Sequence, residues 1–179
     1  MAELVVIRRL TPPDLAAYKA LRDDMLAAHP EAFTSDAAAE RERSADSYLS
    51  RLGIDRTDRT DCTEGGQFTL GAWSGQRLVG AISCERDVRV KVRHVAHLIG
   101  TMVCADVRHA GIGHALSLAC IAAARSAGGV TMLTLSVTAG NAAAIRLYER
   151  AGFTRYGSLP GAMRVDSVPH AKDHMVLTL

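Results

Sequence analysis

The stretch Arg108-His109-Ala110-Gly111-Ile112-Gly113 has the residue types needed to hold a phosphate. An apolar, strand-like run from His97 to Cys104 precedes it, and a long alanine-rich helical pattern follows from Ile112. Backbone N–H groups left free at a first helical turn point outward at the positive end of the helix dipole, and glycine lets a ligand approach them closely. Arg108 can add a fixed positive charge beside them. A P-loop would need Lys-Ser/Thr after the turn, but His114 and Ala115 follow Gly113. The dinucleotide fingerprint is poorly met: Leu116 stands where a third small residue belongs, and Val130 and Thr131 stand where an acid is expected.

A second constellation lies downstream. Leu133 to Val137 reads as a buried strand, Thr138-Ala139-Gly140 turns, and Asn141 caps a helix running to Ala151 that Gly152-Phe153 closes. Asn141 and Tyr148 are seven residues apart, so they share one helix face at about 10 Å along the axis. That face can follow an extended ligand arm.

Together the Arg-x-x-Gly-x-Gly turn and the Asn141 to Phe153 block resemble the GNAT superfamily of N-acetyltransferases, most specifically over 103–153. The resemblance implies an α/β (α+β) fold, with a mixed central sheet of six to seven strands splayed between strands four and five and about four flanking helices. It implies acetyl-CoA as co-substrate and no metal. The amides of Arg108, His109, Ala110, Gly111, Ile112, Gly113 and His114 would take the pyrophosphate. The strand edge at Met102, Val103 and Cys104 would pair with the pantetheine amides, beside Asn141, Ala144 and Tyr148. Tyr148 occupies the position of the family's general acid. A phenol near pKa 10 and a thiol near 8.5 differ by roughly 2 kcal/mol, so a hydrogen bond to a departing thiolate is reasonable.

The base departs from the pattern. Some members carry an acid in strand five, five positions before the asparagine; here that residue is Ser136, which is no base at neutral pH. The candidates are His97 first, whose ordinary pKa lies near working pH, then Glu85, with His94 and Asp106 behind them. A weak base favours amines of low pKa.

The 179 residues carry a net charge of +2 and 48% hydrophobic content, which suits one domain with a full core and excludes bulk nucleic-acid binding. No apolar run approaches a membrane span, and a cytoplasmic protein is expected. Cys62, Cys84, Cys104 and Cys120 are spread singly, which suggests neither a zinc site nor a disulfide framework.

The elements that must position these residues follow from periodicity. Leu4 to Arg9 reads as a strand; Thr11 caps a helix carrying Leu15, Tyr18, Leu21, Met25 and Leu26 on one buried face. Between it and a second helical stretch, about 35–51, His29 to Phe33 is expected to be a substrate loop. Asp55 to Asp61, leading to Gly65-Gly66, is expected as a surface loop. Gln67–Trp73 and Arg77–Glu85 form a hairpin around Ser74-Gly75-Gln76, followed by a strand from about Val88 to Cys104 whose Arg89, Lys91 and Arg93 share one face. The final strands are Thr154–Tyr156 and His174–Leu179, joined by a loop over 157–172.

The expected function is transfer of an acetyl group from acetyl-CoA to a primary amine of a small molecule or a protein N-terminus, by direct attack in a ternary complex. The alternatives are an inactive CoA-binding or sensing module and an enzyme using a longer acyl-CoA. The family resemblance allows a homodimer, but no heptad or apolar helix face specifies one.

Overall fold

The N-terminal helix is built as its sequence requires. Thr11 donates from both its backbone N–H and its hydroxyl to Asp14 Oδ2, at 2.8 Å each, which closes a short turn over Pro12–Asp14. Helix α1 (Leu15–Ala28) follows, burying Leu15, Tyr18, Leu21, Met25 and Leu26 on one side. The computed structural model describes residues 4–53, 67–107 and 111–179; the loop expected over Asp55 to Gly66 lies outside them.

Seven strands form one sheet: β1 (Val5–Arg9), β2 (Phe68–Ser74), β3 (Arg77–Arg86), β4 (Val95–Val103), β5 (Met132–Thr138), β6 (Thr154–Val165) and β7 (Val168–Thr178). Their order is β1-β2-β3-β4-β5-β7-β6, antiparallel throughout except for the parallel β4–β5 pair. That pair is short, with Val95, Ala96 and His97 opposite Met132, Leu133 and Thr134 and no further partners. Beyond those residues both strands line a cavity, which is the expected splay. Helix α3 (Ile112–Ser126) makes the crossover between the parallel strands, as a parallel connection requires, and α4 (Ala142–Arg150) follows β5.

Two apolar clusters sandwich the sheet. Val79, Ile82 and Cys84 of β3 pack with Leu116, Cys120 and Tyr148, whereas Leu78 and Ala81 of the same strand pack with Leu15, Tyr18 and Tyr48. Among the described residues no helix is long and apolar enough to cross a membrane.

Three expected elements differ. The helix over 35–51 is broken into α2 (Ala37–Arg41) and a 3-10 segment, Ala45–Leu52. Ser44 is extended, and Glu40 and Tyr48 turn inward to a buried polar knot that a continuous helix would not assemble. In that knot Arg22 Nε donates to Glu40 Oε2 at 2.8 Å, Tyr48 donates to the same oxygen at 2.6 Å, and Arg22 Nη2 donates to Ser35 at 2.8 Å.

The valine and cation alternation over 88–93 is a turn, not the start of β4. Asp87 accepts from the Arg89 amide at 2.8 Å, and the Val92 and Arg93 amides both donate to the Arg89 carbonyl at 3.0 Å. Val88 is 91% exposed there, so its alternation has no core to face.

The expected loop over 157–172 is instead most of a long hairpin, β6 and β7. Asp166 and Ser167, with φ of 47° and 67°, make a two-residue turn of the type whose twist suits paired strands. Pro160 and Gly161 fall where the register slips between Leu159 and Met163, on the edge strand, where a missing N–H costs no ladder bond.

Candidate active site

Two cavities open along the splay and share six residues: Ala32, Phe33, Thr101, Asn141, Ala144 and Tyr148. The larger, about 850 Å³, runs past Val103, Gly111, Ile112, Gly113, His114 and Leu147. The smaller, about 490 Å³, is lined by Glu85, His97, Ser136, Tyr156, Lys172 and His174 among others.

Asn141 and Tyr148 stand at the junction because α4 starts at the end of β5. The Asn141 side chain accepts from the Ala144 amide at 3.2 Å, which caps the helix, and Gly152, at φ 99°, ends it. Tyr148 is buried against Phe153, with ring centroids 6.0 Å apart in an edge-on arrangement. Burial pushes its phenol up, and a hydrogen bond with Thr101 opposes the rise. The group is therefore a protonated donor at neutral pH.

Gly111 opens α3 in a left-handed conformation, φ 77°, and a Cβ built there meets nothing within 4 Å. Gly113 has the opposite reason to be glycine: a Cβ would come within 2.7 Å of Leu147 Cδ1, where α3 packs against α4. The His114 Nδ1 is buried with no hydrogen-bond partner among the described residues. Arg108, His109 and Ala110 lie outside the described residues.

The strand edge is narrower than expected. Cys104 donates its amide to Val79 at 2.9 Å, so by alternation Met102 also turns its backbone toward β3, and Val103 turns toward the splay. Met102 and Cys104 pack in the cluster beneath α1, and neither lines either of these two cavities.

Glu85 and His97 are direct cross-strand partners. His97 Nδ1 hydrogen-bonds the Thr134 hydroxyl; in the tautomer that donates from Nδ1, Nε2 is left as the basic nitrogen. Asp106 is paired with Arg77 on the surface, and neither it nor His94 lines either of these two cavities.

The model of the acetyltransferase (GNAT) family matches residues 18–153. The chain belongs to this family. No curated protein matches it. Among solved structures, a GNAT-family acetyltransferase from Streptococcus pneumoniae is 23% identical, with TM-score 0.80 and coverage of 98% of this chain and 99% of that one. A ribosomal-protein-alanine N-acetyltransferase from Brucella melitensis is 24% identical, with TM-score 0.75 and coverage of 97% and 99%. The yncA protein of Salmonella typhimurium, solved with its cofactor acetyl-CoA, is 20% identical, with TM-score 0.80 and coverage of 98% and 94%. These likenesses establish the GNAT fold over nearly the whole chain.

Sequence reasoning missed part of this candidate site. Thr101, Tyr156, Lys172 and His174 line the smaller cavity, and His170 lines the larger. The signal was available as alternation: His170, Lys172 and His174 are two apart, as one face of a strand requires. The loop expected over His29 to Phe33 does wall both cavities, with its Glu31 carbonyl held by the Thr138 hydroxyl at 2.6 Å.

Proposed function

We propose that this single-domain protein is an acetyl-CoA-dependent N-acetyltransferase that acts on a primary amine by direct attack in a ternary complex. The observation that carries the reading is the meeting of two cavities at Tyr148, one bordered by the glycine-opened start of α3 and the other by the basic side chains of His97, Lys172 and His174. The larger cavity fits the donor. It has the first-turn amides of α3, an open Gly111, a His114 Nδ1 without a partner among the described residues, and the outward Val103 edge.

Bound there, acetyl-CoA supplies an acetyl group activated as a thioester. The α3 amides bind its diphosphate, and Val103 N–H and C=O orient the arm. His97 Nε2 or Glu85 accepts the amine proton as the carbon–nitrogen bond forms. Tyr148 gives its phenolic proton to the sulfur as the carbon–sulfur bond breaks. Phe33 and Ala32 line both cavities where they meet.

Free-thiol release should be observed when the protein is given acetyl-CoA and a panel of amines, with propionyl- and succinyl-CoA giving less. Tight CoA binding without release for any amine would instead favour a CoA sensor. Gly111→Val should raise the Kd for acetyl-CoA about tenfold by calorimetry. A β-branched residue resists the left-handed conformation by about 1–2 kcal/mol, and its branches project toward the diphosphate. Unchanged affinity would remove the start of α3 from the donor site.

A further inference from the structure

Lys172 sits in the wall of the smaller cavity with only 9% of its surface exposed. Its ammonium donates to the Thr34 hydroxyl at 2.9 Å, which satisfies one of three N–H groups. No salt bridge reaches it among the described residues. The adjacent Asp173 faces Arg155 at 3.4 Å, and Glu31 lies 3.9 Å from His29. Burial lowers its pKa, and no neighbouring charge offsets the cost. Buried lysines without a counter-charge are expensive, whereas paired ones are tolerated. A missing partner beside a ligand cavity is therefore a specification for the ligand.

Lys172 faces only the cavity on the acceptor side of Tyr148 and does not line the donor cavity, so the anion it awaits is not the diphosphate. We propose that Lys172 binds a carboxylate carried by the acceptor, so that the substrate is a free amino acid or a close amino-carboxylate, not a protein N-terminus. A peptide N-terminus has an amide at the corresponding position, which offers the ammonium no charge. This inference rests on the N-acetyltransferase reading. Lys172, the Thr34 loop and the Glu85–His97 pair then place the two ends of one small zwitterion: a cation for its carboxylate and a base for its amine.

The test is thiol release with α-amino acids, β-alanine and γ-aminobutyrate, each beside its primary amide, and with short peptides. The expected result is a kcat/KM at least tenfold higher for the best free acid than for its amide, with the ratio falling to about one in Lys172→Gln. Thr34→Val, which removes the tether and keeps the cation, should retain the preference. Equal use of acid and amide, faster use of peptides, or a preference that survives Lys172→Gln would overturn the proposal and leave acetyl transfer standing.

If no amine gives release, the transfer reading fails, and calorimetry of the CoA-loaded protein decides the anion site alone. N-acetyl amino acids should then bind at least tenfold tighter than their amides, and only when Lys172 is present. Equal or absent binding overturns the site.

Discussion

Replacing Tyr148 with phenylalanine should lower kcat about 10²-fold while leaving the Kd for acetyl-CoA within about twofold of its original value. The ring stays, so packing against Phe153 and the cap at Asn141 are preserved, and the substitution removes one O–H from the junction of the cavities. Thr101 loses its partner, but its own hydroxyl can turn to water in the cleft. The loss should appear in kcat and kcat/KM together, as it does for an interaction made in the transition state. A slower leaving thiolate also predicts recovery with donors whose thiol is more acidic. A mutant as fast as the wild type would assign the proton to water and make Tyr148 a core aromatic.

What the chain showed in advance were features whose causes lie within one turn. Asn141 was legible as a cap and Gly152 as a stop, and each is dictated by neighbours within four positions. The elements misread depend on distant partners. Val88 to Val92 alternate like a strand, but Val88 and Val90 are exposed, and Asp87 captures the Arg89 amide first. Asp166-Ser167 lacks the glycine that marks a tight hairpin, and Pro160 looks like a breaker until the edge position of β6 is known. Lys172 and His174 went unnoticed for that reason, since only the paired hairpin brings them beside β5. Glu85 and His97 were legible as candidates by residue type, but their cross-strand pairing follows from the β3–β4 register.

Glu40→Ala should destabilise the protein by about 3–5 kcal/mol, because it leaves a buried cation without its counter-charge. Arg22 is 2% exposed and Glu40 7% exposed, and the carboxylate also accepts from Tyr48 and from Arg43. For a chain of this size the fall in Tm is roughly 10 °C. The double variant Arg22→Met, Glu40→Leu should recover much of the loss, since the expense lies in one charge stranded without the other. The pH dependence follows in sign. Burial pushes the Glu40 carboxyl up, but the Tyr48 hydroxyl and the arginines outweigh it and hold the group down at about 2, below its ordinary 4.5. Its contribution is fully present above the unfolded value and is lost as pH falls from about 4.5 toward 2. Tyr48 works at the other end. Burial and Glu40 push its phenol up to about 12, so the protonated form supports folding below pH 10 and the support fades as pH rises through 12. Denaturant titrations of both proteins between pH 3 and pH 7 isolate the effect. Carboxylates untouched by the substitution, such as Asp14 held by Arg8, cancel in the difference, so the gap between the proteins should narrow on acidification. A gap of less than about 1 kcal/mol at pH 7 would mean that Arg22 reaches water when its partner is removed, as a surface ion pair does. The knot would then behave as a surface ion pair and would not be the reason the helix breaks between Arg41 and Ala45.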